Sequence, residues 1–210
     1  MLFRSQKSRI IVGISGASGA AYGVRLLQAL RDLNCESHVV ASKAGEMTLG
    51  YELKMKRREL AALSDHLYAI GDIAAPIASG SFRTAGMIVA PCSVHSMSQI
   101  ATGVTENLLT RAADVCLKEK RPLILMVRET PLHVGHLRSL TQLAEMGAII
   151  APPLPAFYAD PKSIQDLIDY SVGRVLDHLG FDWPIKRWGD RKSTRLNSSH
   201  SQQSRMPSSA

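Results

Sequence analysis

The chain has 210 residues, 45% of them hydrophobic and 20% charged, which is enough apolar material for one domain with a buried core and too much for a disordered chain. No apolar run reaches the roughly 18 residues that a membrane helix needs, and the basic start MLFRSQKSRI lacks an apolar signal-peptide core, so neither a membrane span nor secretion is expected. The net charge of +7 owes much to residues 191–210, and without them 21 basic residues face 18 acidic ones, an ordinary +3 that argues against nucleic-acid binding.

Short β-rich runs alternate with longer helical patterns, which predicts an α/β fold: a three-layer, Rossmann-like (flavodoxin-like) parallel sheet with helices on both faces. The first strand is Ile10–Ile14, followed by a Gly/Ser turn and a helix to about Leu33. His38–Ala41 is the second strand, and residues 51–86 read as loops around a short helix at Arg57–Leu63. Met87–Ala90, Leu123–Val127 and Ala148–Ile150 are the remaining strands, each with so little alternation that both faces must be covered. Helical spacing recurs over Asn107–Lys120 and Val134–Met146, and a last helix runs from about Lys162 to Leu179 after the Asp160-Pro161 turn. The domain thus spans residues 1–190. The Ser-, Gln- and Asn-rich residues 191–210 read as a disordered tail, an extension foreign to the domain.

Three segments carry chemistry. In Gly13-Ile14-Ser15-Gly16-Ala17-Ser18-Gly19 a strand ends in a turn that opens a helix, so backbone N–H groups and the helix dipole converge where a phosphate can sit. The spacing is neither GxGxxG nor a P-loop, which favours a mononucleotide such as FMN over a dinucleotide; glycines serving tight packing are the structural alternative. Ala90-Pro91-Cys92-Ser93-Val94-His95-Ser96 lies at the carboxyl end of a strand, where open α/β sheets bind ligands. No acid stands by to orient His95, so Cys92 reads as a small buried thiol rather than a nucleophile. Cys35 and Cys116 are equally isolated, so the three cysteines form neither a disulfide framework nor a CxxC metal site and fit a reducing, cytoplasmic setting. Arg128-Glu129-Thr130-Pro131-Leu132-His133-Val134-Gly135-His136 follows the fourth strand. Its two histidines have no third ligand at a metal spacing and read as capping or surface groups. A Pro-rich loop, Pro152–Tyr158, can either hold an aromatic hydroxyl over a pocket or merely connect two elements.

Taken together, GISGASGAAYGVRLL, SGSF, APCS, LLTRAADVCLKEKRPLILMVRETPLH and PPLPAFYADP resemble the flavin prenyltransferases of the UbiX type, once described as phenylacrylic or polyprenyl-hydroxybenzoate decarboxylases. The resemblance covers residues 9–190 and implies a metal-independent enzyme. Its activity would be to move a dimethylallyl group from dimethylallyl phosphate to N5 and C6 of reduced FMN. The product would serve a partner decarboxylase of the UbiD type, in ubiquinone synthesis or aromatic-acid breakdown, and the assembly would be a homo-oligomer, a dodecamer in this family. By the same resemblance, Gly16, Ala17, Ser18, Ser42, Ser93, Val94, His95, Ser96 and Arg128 bind the flavin. Ser79, Arg111, Lys118, Tyr158 and Arg174 hold the prenyl phosphate, and Glu52 and Glu129 are the acidic members of the catalytic set with Lys118, Tyr158 and Arg174. Where some members carry a tryptophan before the SGS segment, this chain has Ile73. An FMN-binding decarboxylase and a non-catalytic flavin carrier are the alternative functions.

Overall fold

The computed structural model describes residues 7–188, so the tail expected at 191–210 lies outside the described residues. Six parallel strands form one sheet: β1 (Arg9–Ile14), β2 (Glu36–Ala41), β3 (His66–Tyr68), β4 (Gly86–Cys92), β5 (Leu123–Val127) and β6 (Ile149–Ile150), in the order β3-β2-β1-β4-β5-β6. Without the three-residue edge strand β3 this is the flavodoxin order, and with it the doubly wound one. Both reverse between β1 and β4, and at that reversal the carboxyl ends of the strands leave a crevice.

Side-chain parity sorts the core into two layers. Ile10, Val12 and Ile14 of β1, Ile88 and Ala90 of β4, and Ile124 and Met126 of β5 pack with α1 (Ala20–Asp32), α2 (Lys43–Leu53), α3 (Arg57–Leu63) and α7 (Ile164–Asp177). The intervening Ile11, Met87, Val89, Leu123 and Leu125 pack with α4 (Val94–Ala101), α5 (Leu108–Lys118) and α6 (Val134–Glu145). Every residue of β4 and β5 is buried, which is why these strands read as continuous apolar runs. Among the described residues no helix is long and apolar enough to cross a membrane.

Four elements depart from the sequence expectation. Residues 51–86 hold the end of α2, the edge strand β3 and a 3-10 turn at Pro76–Ala78 as well as the short helix α3. Glycines at 45 and 50 break the apolar period of α2, and three residues give β3 no readable pattern. Helix α4 was hidden because its eight residues follow the strand after one Ser, yet that Ser93 is a regular N-cap, its side chain accepting from the Ser96 N–H.

Candidate active site

The turn after β1 is tied to the end of β4 through Ser15. Its hydroxyl donates to the Pro91 carbonyl (2.9 Å) and accepts from the Ser93 N–H (2.6 Å), so two strand ends on either side of the crevice are locked together. Ser15 was not among the expected site residues. The signal for it was present, because a polar side chain between two strand-end glycines has no apolar role to play. The Arg128 N–H donates to the Cys92 carbonyl (3.0 Å), which brings β5's end to the same edge. Ser42 caps α2, accepting from the Gly45 N–H at 3.0 Å, and so contributes the end of β2. Thus Gly16, Ala17, Ser18, Ser42, Ser93, Val94, His95, Ser96 and Arg128 all stand at one carboxyl edge of the sheet.

Gly16 is required there for space. A Cβ at this position would lie 2.4 Å from the Ala44 Cβ, so the turn passes directly against α2. The backbone N–H groups of Gly16, Ala17 and Ser18 have no partner among the described residues. The next two amides do. The Glu52 carboxylate accepts from Gly19 N–H (2.9 Å) and Ala20 N–H (2.8 Å), and caps α1 from a different helix. Burial by itself would raise this carboxyl, but the bonds from Ser18, Gly19 and Ala20 and the nearby Arg128 charge together hold it below its ordinary value. An anion entering the turn therefore meets a fixed negative charge at the helix end and open donors one residue earlier. The open donors thus lie at Gly16–Ser18 and not at the dipole terminus itself.

Cys92 is fully buried, and burial pushes its thiol up to about 12, which matches the reading of an inert strand-end thiol. His133 caps α6, its Nδ1 accepting from the Gly135 N–H at 3.0 Å, and it stacks on His136 at 3.6 Å; His133 is the exposed capping histidine expected, whereas His136 is half-buried, with a buried Nδ1 that has no partner among the described residues. Glu129 stays on the surface beside Arg128 and accepts from the Thr130 N–H.

The expected phosphate-binding residues fall into two groups. Ser79 shares a hydrogen bond with Ser81 at 2.9 Å in a loop pressed against the end of α5. A Cβ on Gly80 would meet Glu119 Oε1 at 2.2 Å and Lys118 Nζ at 2.9 Å. Arg111 donates to the Ala78 carbonyl and pairs with Asp114 (3.0 Å), while Lys118 pairs with Glu119 (2.5 Å). Arg121 clamps the loop through the carbonyls of Gly80 and Phe82, a role not foreseen from the sequence. The second group lies around α7, on the other face of the sheet. Tyr158 and Tyr170 join hydroxyls, Arg174 pairs with Asp177 (2.6 Å), and the Trp188 ring stands edge-on to Tyr158 at 5.1 Å. Tyr158, Tyr170, Arg174, Ile185, Arg187 and Trp188 line a cleft of about 320 Å³. Within one chain the sheet separates Arg111 and Lys118 from Tyr158 and Arg174.

Residues 3–176 match the flavoprotein family. The chain is 56% identical over 184 residues to "Flavin prenyltransferase UbiX" of Escherichia coli strain K12, covering 86% of this chain and 97% of that protein. The chain belongs to the UbiX-type flavin prenyltransferase family. A second family member, that of Archaeoglobus fulgidus, is 48% identical over 181 residues, covering 86% of this chain and 100% of its own. The crystal structure of AnUbiX (PadA1) in complex with FMN and dimethylallyl pyrophosphate superposes with a TM-score of 0.86 at 48% identity, covering 87% of this chain and 98% of that one. A dodecameric FMN-dependent UbiX-like decarboxylase from Escherichia coli O157:H7 gives 0.84 at 47%, covering 86% and 98%. The cysteine decarboxylase SpaF, at 17% identity and a TM-score of 0.58, shares the fold alone.

Proposed function

We propose that this protein transfers a dimethylallyl group from dimethylallyl phosphate to reduced FMN, and that it does so as a homo-oligomer whose sites take residues from more than one chain. The observation that carries the reading is the convergence of four strand ends, β1, β2, β4 and β5, on one edge, with amides at Gly16–Ser18 that have no partner among the described residues and hydroxyls at Ser42 and Ser93. This edge suits a flavin mononucleotide, and the relative crystallised with FMN supports it.

Reduced FMN, when bound, supplies the nucleophilic N5 and C6 atoms. The protein's part is to hold the prenyl phosphate and receive its charge as the allylic C–O bond breaks. Lys118, Arg111 and Arg174 supply fixed cations, and Ser79 and Tyr158 supply hydroxyls, which together stabilise the leaving phosphate without a metal. Glu129 stands at the strand end to take a proton during ring closure, alone or through the phosphate. Trp188 is placed beside Tyr158 and Arg174 and offers an aromatic face to a developing allylic cation, a role that the exposed Ile73 cannot fill. The product goes to a UbiD-type decarboxylase, and the three free, buried thiols suit a cytoplasmic protein.

Incubating the protein with reduced FMN and dimethylallyl phosphate, or the pyrophosphate in a parallel arm, tests the reading by mass spectrometry of the flavin. A gain of one dimethylallyl unit is expected. Retained but unmodified FMN in both arms would instead make the protein a carrier.

A further inference from the structure

At the opposite, amino-terminal end of strands β2 and β3 lies a polar cluster with no part in the chemistry above. Glu36 and His38 are two residues apart on β2 and so share a face, and His38 sits directly opposite His66 in the β2–β3 register. The imidazoles stack at 4.6 Å and 15°. Both Nε2 atoms aim at the same carboxylate oxygen, Glu36 Oε1, from 3.0 Å for His38 and 3.3 Å for His66. On its other nitrogen, His38 Nδ1 meets the Tyr68 hydroxyl at 2.8 Å. Glu36 Oε2 is held by Arg9 Nε at 3.3 Å, and Arg9 in turn lies over the Phe82 ring.

We propose that Glu36, His38 and His66 form a binding site for a borderline divalent metal ion, zinc being the best match, that staples the edge strand β3 to β2. Two imidazole nitrogens and a carboxylate oxygen are the donors that zinc takes, and at bonds of about 2.0–2.1 Å tetrahedral donors lie about 3.3 Å apart. At 3.3 Å for His66 and 3.0 Å for His38 the two contacts lie near that spacing, and all three donor atoms fall within 4.8 Å of one another. Only His66 must move to close the set, and it is half exposed while His38 is 2% exposed and fixed by Tyr68. That arrangement is the outer-sphere support expected of a ligating histidine, with the hydroxyl on Nδ1 turning the Nε2 lone pair toward the metal. The exposed side of His66 leaves the fourth position to water. Arg9 costs the site some affinity by its charge but engages only Oε2, and Asp65 beside His66 offsets it.

Zinc chloride titrated calorimetrically into the chelator-stripped full chain tests the assignment. One equivalent is expected to bind and to raise the unfolding midpoint. His66→Ala, an exposed change, is expected to lose about 10-fold or more in zinc affinity and the midpoint shift, and Tyr68→Phe to weaken binding by a similar factor at unchanged stoichiometry. Far-UV circular dichroism of each variant without metal establishes that the fold is retained. His136→Ala is expected to bind as the unaltered chain does. Absence of stoichiometric binding, undiminished affinity in His66→Ala, or loss of binding in His136→Ala would each overturn the site.

Discussion

At the residue scale the two carboxylates of the crevice have different work. Among the described residues Glu129 is tied only to the neighbouring Thr130 N–H, through Oε1, which leaves its second oxygen open to a ligand. Glu129→Gln keeps that contact and the shape while removing the base, so FMN binding is expected to be unchanged and prenyl transfer to slow by about 100-fold, within the usual range for an acid–base group. Stopped-flow spectra of reduced FMN mixed with dimethylallyl phosphate measure this, and transfer at the unaltered rate would remove Glu129 from the mechanism. Glu52, the other acidic member of the expected catalytic set, also caps α1. Its carboxyl is lower in the folded protein than in the unfolded chain, so its stabilisation is fully present above the ordinary carboxylate value of 4.5 and is lost as pH falls through the lower folded value. Glu52→Gln is expected to cost about 1 kcal/mol at neutral pH, the usual loss for a helix N-terminal cap, kept modest because solvent screens an exposed group. The difference from the unaltered protein is expected to shrink in acid, and chemical denaturation at several pH values reads it; a difference that grows in acid would refute the capping role.

At the scale of elements, α1 is held to the sheet by an absence of side chain. A Cβ on Gly23 would stand 2.4 Å from the Ala90 carbonyl oxygen and 3.2 Å from Ile14 side-chain atoms. The obstacle is backbone of the central strand β4, which cannot yield as a side-chain tip can. Gly23→Ala is therefore expected to destabilise by about 1–3 kcal/mol, the range for overpacking, despite alanine's better helix propensity. A midpoint shift in urea tests this, and a neutral or stabilising result would mean that α1 is free to slide. The same helix shows what pattern can and cannot reveal. Strands β1, β4 and β5 and helix α3 were legible because buried parallel strands make apolar runs and seven helical residues lay between clear breaks. Helices α2 and α4 and strand β3 were not, since their extent depends on Ser caps and edge pairing rather than on periodicity. In the candidate site, spacing pointed to a phosphate turn at 16–18 but not to Glu52 reaching from α2 to occupy the adjacent amides, a contact made across 33 residues of chain. The metal cluster was equally invisible, because Glu36 and His38 meet His66 only once β3 is known to pair with β2.

At the scale of the whole molecule, the position of the proposed phosphate-binding cations constrains how the enzyme is built. Arg111 and Lys118 sit on α5, whose apolar face belongs to one core layer, and Arg174 sits on α7, which belongs to the other. A sheet buried on both faces lies between them, so one chain cannot close both groups around a small phosphate. A second copy, presenting its α7 to the first copy's α5, can, and symmetric assembly repeats that junction for every chain. If a site takes Lys118 from one chain and Arg174 from another, two inactive variants can repair each other. Lys118→Ala and Arg174→Ala proteins, each devoid of transfer activity alone, are expected to regain about a quarter of it when unfolded together in equal amounts and reassembled, because random mixing pairs an intact Lys118 with an intact Arg174 at that fraction of junctions. The Lys118→Ala homo-oligomer should still retain FMN, since its flavin edge at Gly16–Ser18, Ser42 and Ser93 is untouched. Product formation in the mixed sample, compared with the same variants assembled separately and then combined, isolates the effect of subunit exchange. Activity that stays at zero after true mixing, with light scattering showing that hetero-oligomers formed, would place both cations of each site in a single chain and require the α5 or α7 surface to rearrange instead.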